Sequence, residues 1–94
     1  MRLIEKQMLD AVYSGSYWTK DNTMVAPNTR TGDVCIFLHT YPIAIFKPLT
    51  QTVIPNLTTL SAWPTVTTKS RLRALGVNVT TRKGITYVDN KEVA

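Results

Sequence analysis

The stretch DVCIFLHTYPIAIFK, residues 33 to 47, decides how the chain is read. Five apolar residues run unbroken from Val34 to Leu38, the signature of a central strand buried on both faces. Tyr41-Pro42 reads as the turn that follows, and Ile43 to Lys47 as the next strand. Pro48 has no N–H to give a ladder, so it ends that strand or confines it to an edge. Two strands this close in sequence form an antiparallel pair, and the rest of the chain arranges itself around them.

Upstream, Asn22 to Pro27 alternates as a strand, and Asn28 to Asp33 forms a turn in which Gly32 is free to take positive φ. Tyr17 and Trp18 stand in a small polar segment read as a loop or distorted extended stretch, with both rings set to plug the edge of a small core. Residues 2 to 13 read as a helix. Ile4, Met8 and Val12 recur every fourth position with Leu3 and Ala11 beside them, and Glu5, Lys6 and Asp10 take the opposite, solvent face. Gly15 sits at the helix C-terminus, where a left-handed residue is favoured.

Downstream, residues 51 to 55 form a short strand whose Pro55 favours an edge. Pro64 and the threonines introduce a helix over about 65 to 75, with Thr65 or Thr67 as N-cap and Gly76 beyond its end. At 100° per residue, Thr68, Leu72 and Leu75 share the buried face. The tail alternates again, with Val77, Val79, Ile85, Tyr87 and Val93 as inward candidates. Turns fall at Arg82-Lys83-Gly84 and Asp89-Asn90. The reading is a single α+β domain over residues 1 to 94: an antiparallel sheet of three to five strands with both helices on one face, closed by a C-terminal β-hairpin.

Charge adds the functional signal. The net charge of +5 is uneven. Residues 1 to 22 sum to zero and residues 23 to 60 to +1. Residues 61 to 94 carry +4, from Lys69, Arg71, Arg73, Arg82, Lys83 and Lys91 against Asp89 and Glu92. Such asymmetry points to a polyanionic or acidic partner. Thr67, Thr68 and Lys69 stand at the positive end of the second helix, Arg71 and Arg73 follow on it, and Arg82 and Lys83 come from the hairpin tip. Together these seven form the candidate surface for phosphate or an acidic partner.

Chemistry finds less support. The chain has one cysteine and one histidine. Cys35 and His39 are four residues apart on an extended strand, roughly 13 Å, too far for a nucleophile and its base. No Cys-x-x-Cys, His pair, Gly-x-Gly-x-x-Gly or Walker loop is present, and nothing brings two of the scattered carboxylates together. The expectation is a protein that is not an enzyme and uses no metal or cofactor. A lone cysteine excludes an internal disulfide and suits a reducing compartment. The acidic residues within the first apolar pattern argue against a signal peptide, and no apolar run is long enough to span a membrane.

The combination of NTMV, VCIFLHTYPIAIF, TTKSRLRALG and VNVTTRKGITYVDNKEV resembles a group of small accessory proteins of tailed bacteriophages, over most of residues 20 to 93. Its most specific element is the helix pattern Trp-x-Thr-x-Thr-Thr-x-Ser-Arg-Leu-x-Ala-Leu. Arg73 departs from the usual pattern, where Asn is more frequent. The resemblance implies a phage protein acting in the host cytoplasm and implies no catalytic residue. Three roles fit. The first is nucleic-acid binding, mainly through backbone phosphates, since no sequence-reading motif is present. The second is inhibition or modulation of an acidic host protein through the same surface. The third is a small virion or assembly component that self-associates through an open edge strand.

Overall fold

The computed structural model describes residues 1–93. Helix α1 (Leu3–Ser14) leads into a five-stranded antiparallel meander: β1 (Trp18–Lys20), β2 (Thr23–Pro27), β3 (Val34–Leu38), β4 (Tyr41–Lys47) and β5 (Thr52–Pro55). A short helix α2 (Leu57–Ala62) and helix α3 (Val66–Ala74) follow. A separate three-stranded sheet closes the chain: β6 (Val79–Arg82), β7 (Ile85–Val88) and β8 (Lys91–Glu92). The α+β class, the first helix and the C-terminal hairpin are as the sequence predicts. The strands are divided between two sheets rather than one. No helix among the described residues is long and apolar enough to cross a membrane.

The opening stretch forms β3 and β4, at the centre of the larger sheet. The turn between them falls at His39-Thr40, two residues before the predicted one, with φ of 50° and 68°. Asp21-Asn22, Lys83-Gly84 and Asp89-Asn90 also have positive φ at both positions and join strands that pair directly across them. All four are two-residue hairpins of the type whose twist matches that of the flanking strands. Asn, Asp and Gly take this conformation readily, whereas Thr40, being β-branched, is strained there. Pro42 is therefore inside β4. The register slips between Ile36 and Phe37, so that Ile43 bulges and lies buried beside Ala44.

The sheet has one covered face. Cross-strand partners share a face, and the row Trp18, Val25, Ile36, Ala44 and Pro55 runs across all five strands on the inner one. α1 contributes Met8, Ala11 and Val12 to the core there, α2 Leu60, and α3 Leu72, with Leu75 just beyond it. On β3 the residues alternate between buried and half-buried, so the strand is central but its outer face is open. The expectation of burial on both faces does not hold.

Two corrections follow from geometry. In the C-terminal hairpin the two-residue turn pairs Val79 with Val88 and Thr81 with Thr86. Burying Val79 therefore brings Thr86 and Val88 inward and sends Ile85 out, where it is 40% exposed. In α1 the buried face is centred on Glu5, Met8 and Val12, while Leu3 is exposed. Glu5, placed on the solvent side by the sequence pattern, is 4% exposed.

The cause is on α3. Arg71 Nη1 donates to Glu5 Oε2 at 2.9 Å, Ser70 Oγ donates to the same oxygen at 2.6 Å, and Arg71 Nε donates to Thr23 Oγ1 of β2 at 3.2 Å. Both charged side chains are almost wholly buried, at 6% and 5% exposure. Burial alone would raise the Glu5 pKa. The hydrogen bonds from Ser70 and Arg71, the Arg71 charge and the Arg2 backbone outweigh it, and hold the carboxyl below its usual value.

Glu5→Ala leaves the Arg71 charge buried without its partner. Chemical denaturation should show it destabilised by about 3–5 kcal/mol. The sign of the pH effect follows from the lowered folded-state pKa. The contribution of Glu5 is fully present above the unfolded carboxyl value of about 4.3 and is lost as pH falls through the folded value. Denaturation midpoints of the wild-type chain should therefore fall below about pH 4.3 more steeply than those of Glu5→Gln.

Candidate nucleic-acid interface

α3 is built as a capped, one-sided helix. Thr65 is the N-cap, and its side chain accepts from the Thr68 backbone N–H at 3.1 Å. The Thr65 and Thr68 hydroxyls are also 2.9 Å apart. Gly76 ends the helix with φ of 93° and its N–H on the Arg73 carbonyl. Thr68 and Leu72 are buried on the helix and Leu75 directly after it, as the spacing predicts.

The seven candidate residues do not stay together. Arg71 is consumed by Glu5 and Thr23 and is closed to any external partner. Thr68 is buried and engaged with the cap. Thr67 is half-buried on the wall of a cleft of about 350 Å³, which Thr65, His39, Tyr41, Ile43 and Trp63 also line. Trp63 and Tyr41 stand at this cleft half exposed, with ring centroids 5.8 Å apart.

The four remaining cations converge on one strand. Lys69 Nζ donates to Thr81 Oγ1 at 2.6 Å, and Arg73 Nε donates to the Val79 carbonyl at 2.7 Å. Arg82 lies over the Tyr87 ring with its guanidinium carbon 4.1 Å from the centroid, and Lys83 is at the hairpin tip. β6 is an edge strand, paired only with β7. In this hairpin the backbone groups of Val79 and Thr81 point away from β7. Arg73 therefore caps the open edge, and Lys69 sits beside it on the inner side. Arg82 and Tyr87 lie on the opposite face, because Arg82 alternates with Thr81 along the strand. The cations form a ridge that wraps β6 and do not form a pocket. Among the described residues none of the four is in an ion pair; the two pairs present are Glu5–Arg71 and Asp33–Lys47.

The sequence reading missed the tether between α3 and β6. The one signal available for it was the run of threonines at Thr80 and Thr81 opposite the basic helix. Residues 1–94 match a family described as Kyanoviridae Gp96 protein. The chain belongs to this phage protein family. No curated protein and no solved structure gives a significant match. The family match supports the expected phage origin, and the description names no activity.

Thr65→Ala removes the cap of α3 while leaving all four cations in place. It should cost about 1 kcal/mol. A thermal scan should then show a midpoint lower by about 4–8 °C, as expected for a domain of this size.

Proposed function

We propose that the chain is a non-enzymatic phage accessory protein that acts in the host cytoplasm and holds nucleic acid mainly through its backbone phosphates. The observation that carries this reading is the ridge of Lys69, Arg73, Arg82 and Lys83 around β6. The first three are each held by a hydrogen bond or a ring, and none is neutralised by a carboxylate within the described residues. Fixed cations lose less side-chain freedom on meeting phosphate than mobile ones do. A ridge also suits an extended polyanion better than a single small anion. The chain carries no helix-turn-helix or RNP-type motif for reading base edges, which favours contacts to the backbone.

The aromatic pair sharpens the substrate. Lys69 donates its backbone N–H to the Thr65 carbonyl, so the first ridge cation is one helical turn from the cleft where Trp63 and Tyr41 are exposed. Cations on the helix that leaves a cleft with half-exposed aromatic rings favour single strands, whose bases are free to stack.

Anisotropy titrations of mixed-sequence single-stranded and duplex DNA and RNA, at two salt concentrations, test the reading. Single strands should bind more tightly than duplexes. The log–log salt slope should be about −3, the value for up to four phosphate contacts. Lys69→Gln combined with Arg82→Gln should weaken binding to all sequences and reduce that slope by about 1.5. Absence of binding at low salt overturns the reading. In that case the ridge would be left as a docking surface for an acidic host protein.

A further inference from the structure

The outer face of the five-stranded sheet is apolar from β2 to β5, flanked by Thr19 and Thr52, and carries no helix. Met24 and Ala26 of β2, Cys35 and Phe37 of β3, Ile45 of β4 and Ile54 of β5 are linked across the strands as direct partners, and all point away from the helices. None is fully buried, although the inward residues of β2 and β3 are buried almost without exception. Ile54 is 44% exposed, and Leu57, which lines a shallow depression with Ile45 and Ile54, is 47% exposed. A protein with an α-helical layer on one side of its sheet has left the other side without one. Exposed apolar surface of this continuity marks an interaction site.

We propose that this face is where two copies of the chain meet, sheet against sheet. Charge selects the occupant. At +5, two copies repel over most of their surface. The charged side chains on this face are Asp33 and Lys47 at one end, and they neutralise each other at 3.1 Å. The face is therefore apolar and neutral, and like copies can approach there without an unpaired charge. A twofold axis would place the same stripe on both sides, the isologous arrangement favoured in homodimers. The edges are poorer candidates. β1 has three residues, and β5 has four and ends on Pro55, which has no N–H to share.

Size sets the strength. Five strands about 4.8 Å apart, with five residues each of about 3.4 Å, give a face of roughly 400 Å² per copy. Two copies together remove roughly 800 Å², short of the about 1,200 Å² of a standard specific interface, so the dimer is a weak, transient one that dissociates on dilution. This inference is independent of nucleic-acid binding.

Sedimentation equilibrium over a wide range of protein concentrations tests it, alongside the rate at which Cys35 reacts with a maleimide. Cys35 is the free thiol on the face, half-buried, and its pKa is raised by burial and by the neighbouring Asp33 charge. The wild-type chain should pass from monomer to dimer as concentration rises, and Cys35 should react more slowly over the same range. Ile54→Lys and, separately, Phe37→Lys place a charge on the face and should raise the midpoint concentration by about tenfold or more. Ile54 is exposed enough for its variant to keep the monomer fold, which circular dichroism verifies. A wild-type chain that stays monomeric at the highest concentrations reached overturns the inference. So does a dimer that persists unchanged in both variants, or one that leaves the Cys35 rate unaltered.

Discussion

The contact between Arg71 and Glu5 fixes the relation of three elements that otherwise share only apolar surface. Leu72 and Met8 could slide against each other at little cost, because dispersion and burial have no direction. A guanidinium held by a carboxylate of α1 and a hydroxyl of β2 permits one arrangement. A buried pair of this kind contributes less net stability than its Coulomb attraction suggests, since two charges have been taken out of water. What it specifies is orientation. It sets the rotation of α1 that brings Glu5 inward and leaves Leu3 out. It also sets the rotation of α3 that turns Lys69 and Arg73 toward β6.

That rotation determines how the remaining charge is displayed. With Arg71 inside, the basic face of α3 is reduced to Lys69 and Arg73, and each is tied to the edge strand. The hairpin then carries the positive surface around its edge to Arg82 and Lys83. The small sheet is thus more than a cap on the core through Val79 and Thr86. It extends the electrostatic surface of α3, and the two side chains that join them, Lys69 and Arg73, are themselves part of that surface. Loosening the hairpin would therefore disperse the charge as well as expose the core.

Much of this architecture was legible in the sequence because it follows from local rules. The run from Val34 to Leu38, the Gly15 and Gly76 helix ends and the Thr68–Leu72–Leu75 stripe each depend on near neighbours. The misplacements of Glu5 and Arg71 share a cause: each was decided by a partner far away in the chain. Glu5 reads as a solvent residue until Arg71, 66 positions on, is beside it. Arg71 looks like a surface cation for the same reason. Ile85 reads as a core residue until the turn at Lys83-Gly84 fixes which residue faces Val79. Tyr41-Pro42 reads as the turn, whereas the actual turn puts the β-branched Thr40 at positive φ, where local rules do not favour it. Of the candidate surface, the exposed cations were legible from composition. Their grouping was not, because it rests on the tether between α3 and β6.

The two proposed surfaces lie in different layers of the molecule, and this separation has a consequence. The basic ridge belongs to α3 and β6, on the helical side of the large sheet, while the apolar face is the reverse side of that sheet. Copies that meet back to back would leave both ridges uncovered and facing outward. One short stretch of nucleic acid could not lie on both ridges at once. Two stretches, or one long strand looping round, could be held together, and the second contact would then be intramolecular. Its strength would be set by the effective concentration of the second site and not by any new contact. A weak dimer and a weak phosphate surface would thereby reinforce each other, since a ligand that spans both ridges binds the dimer in preference to the monomer and draws the association forward.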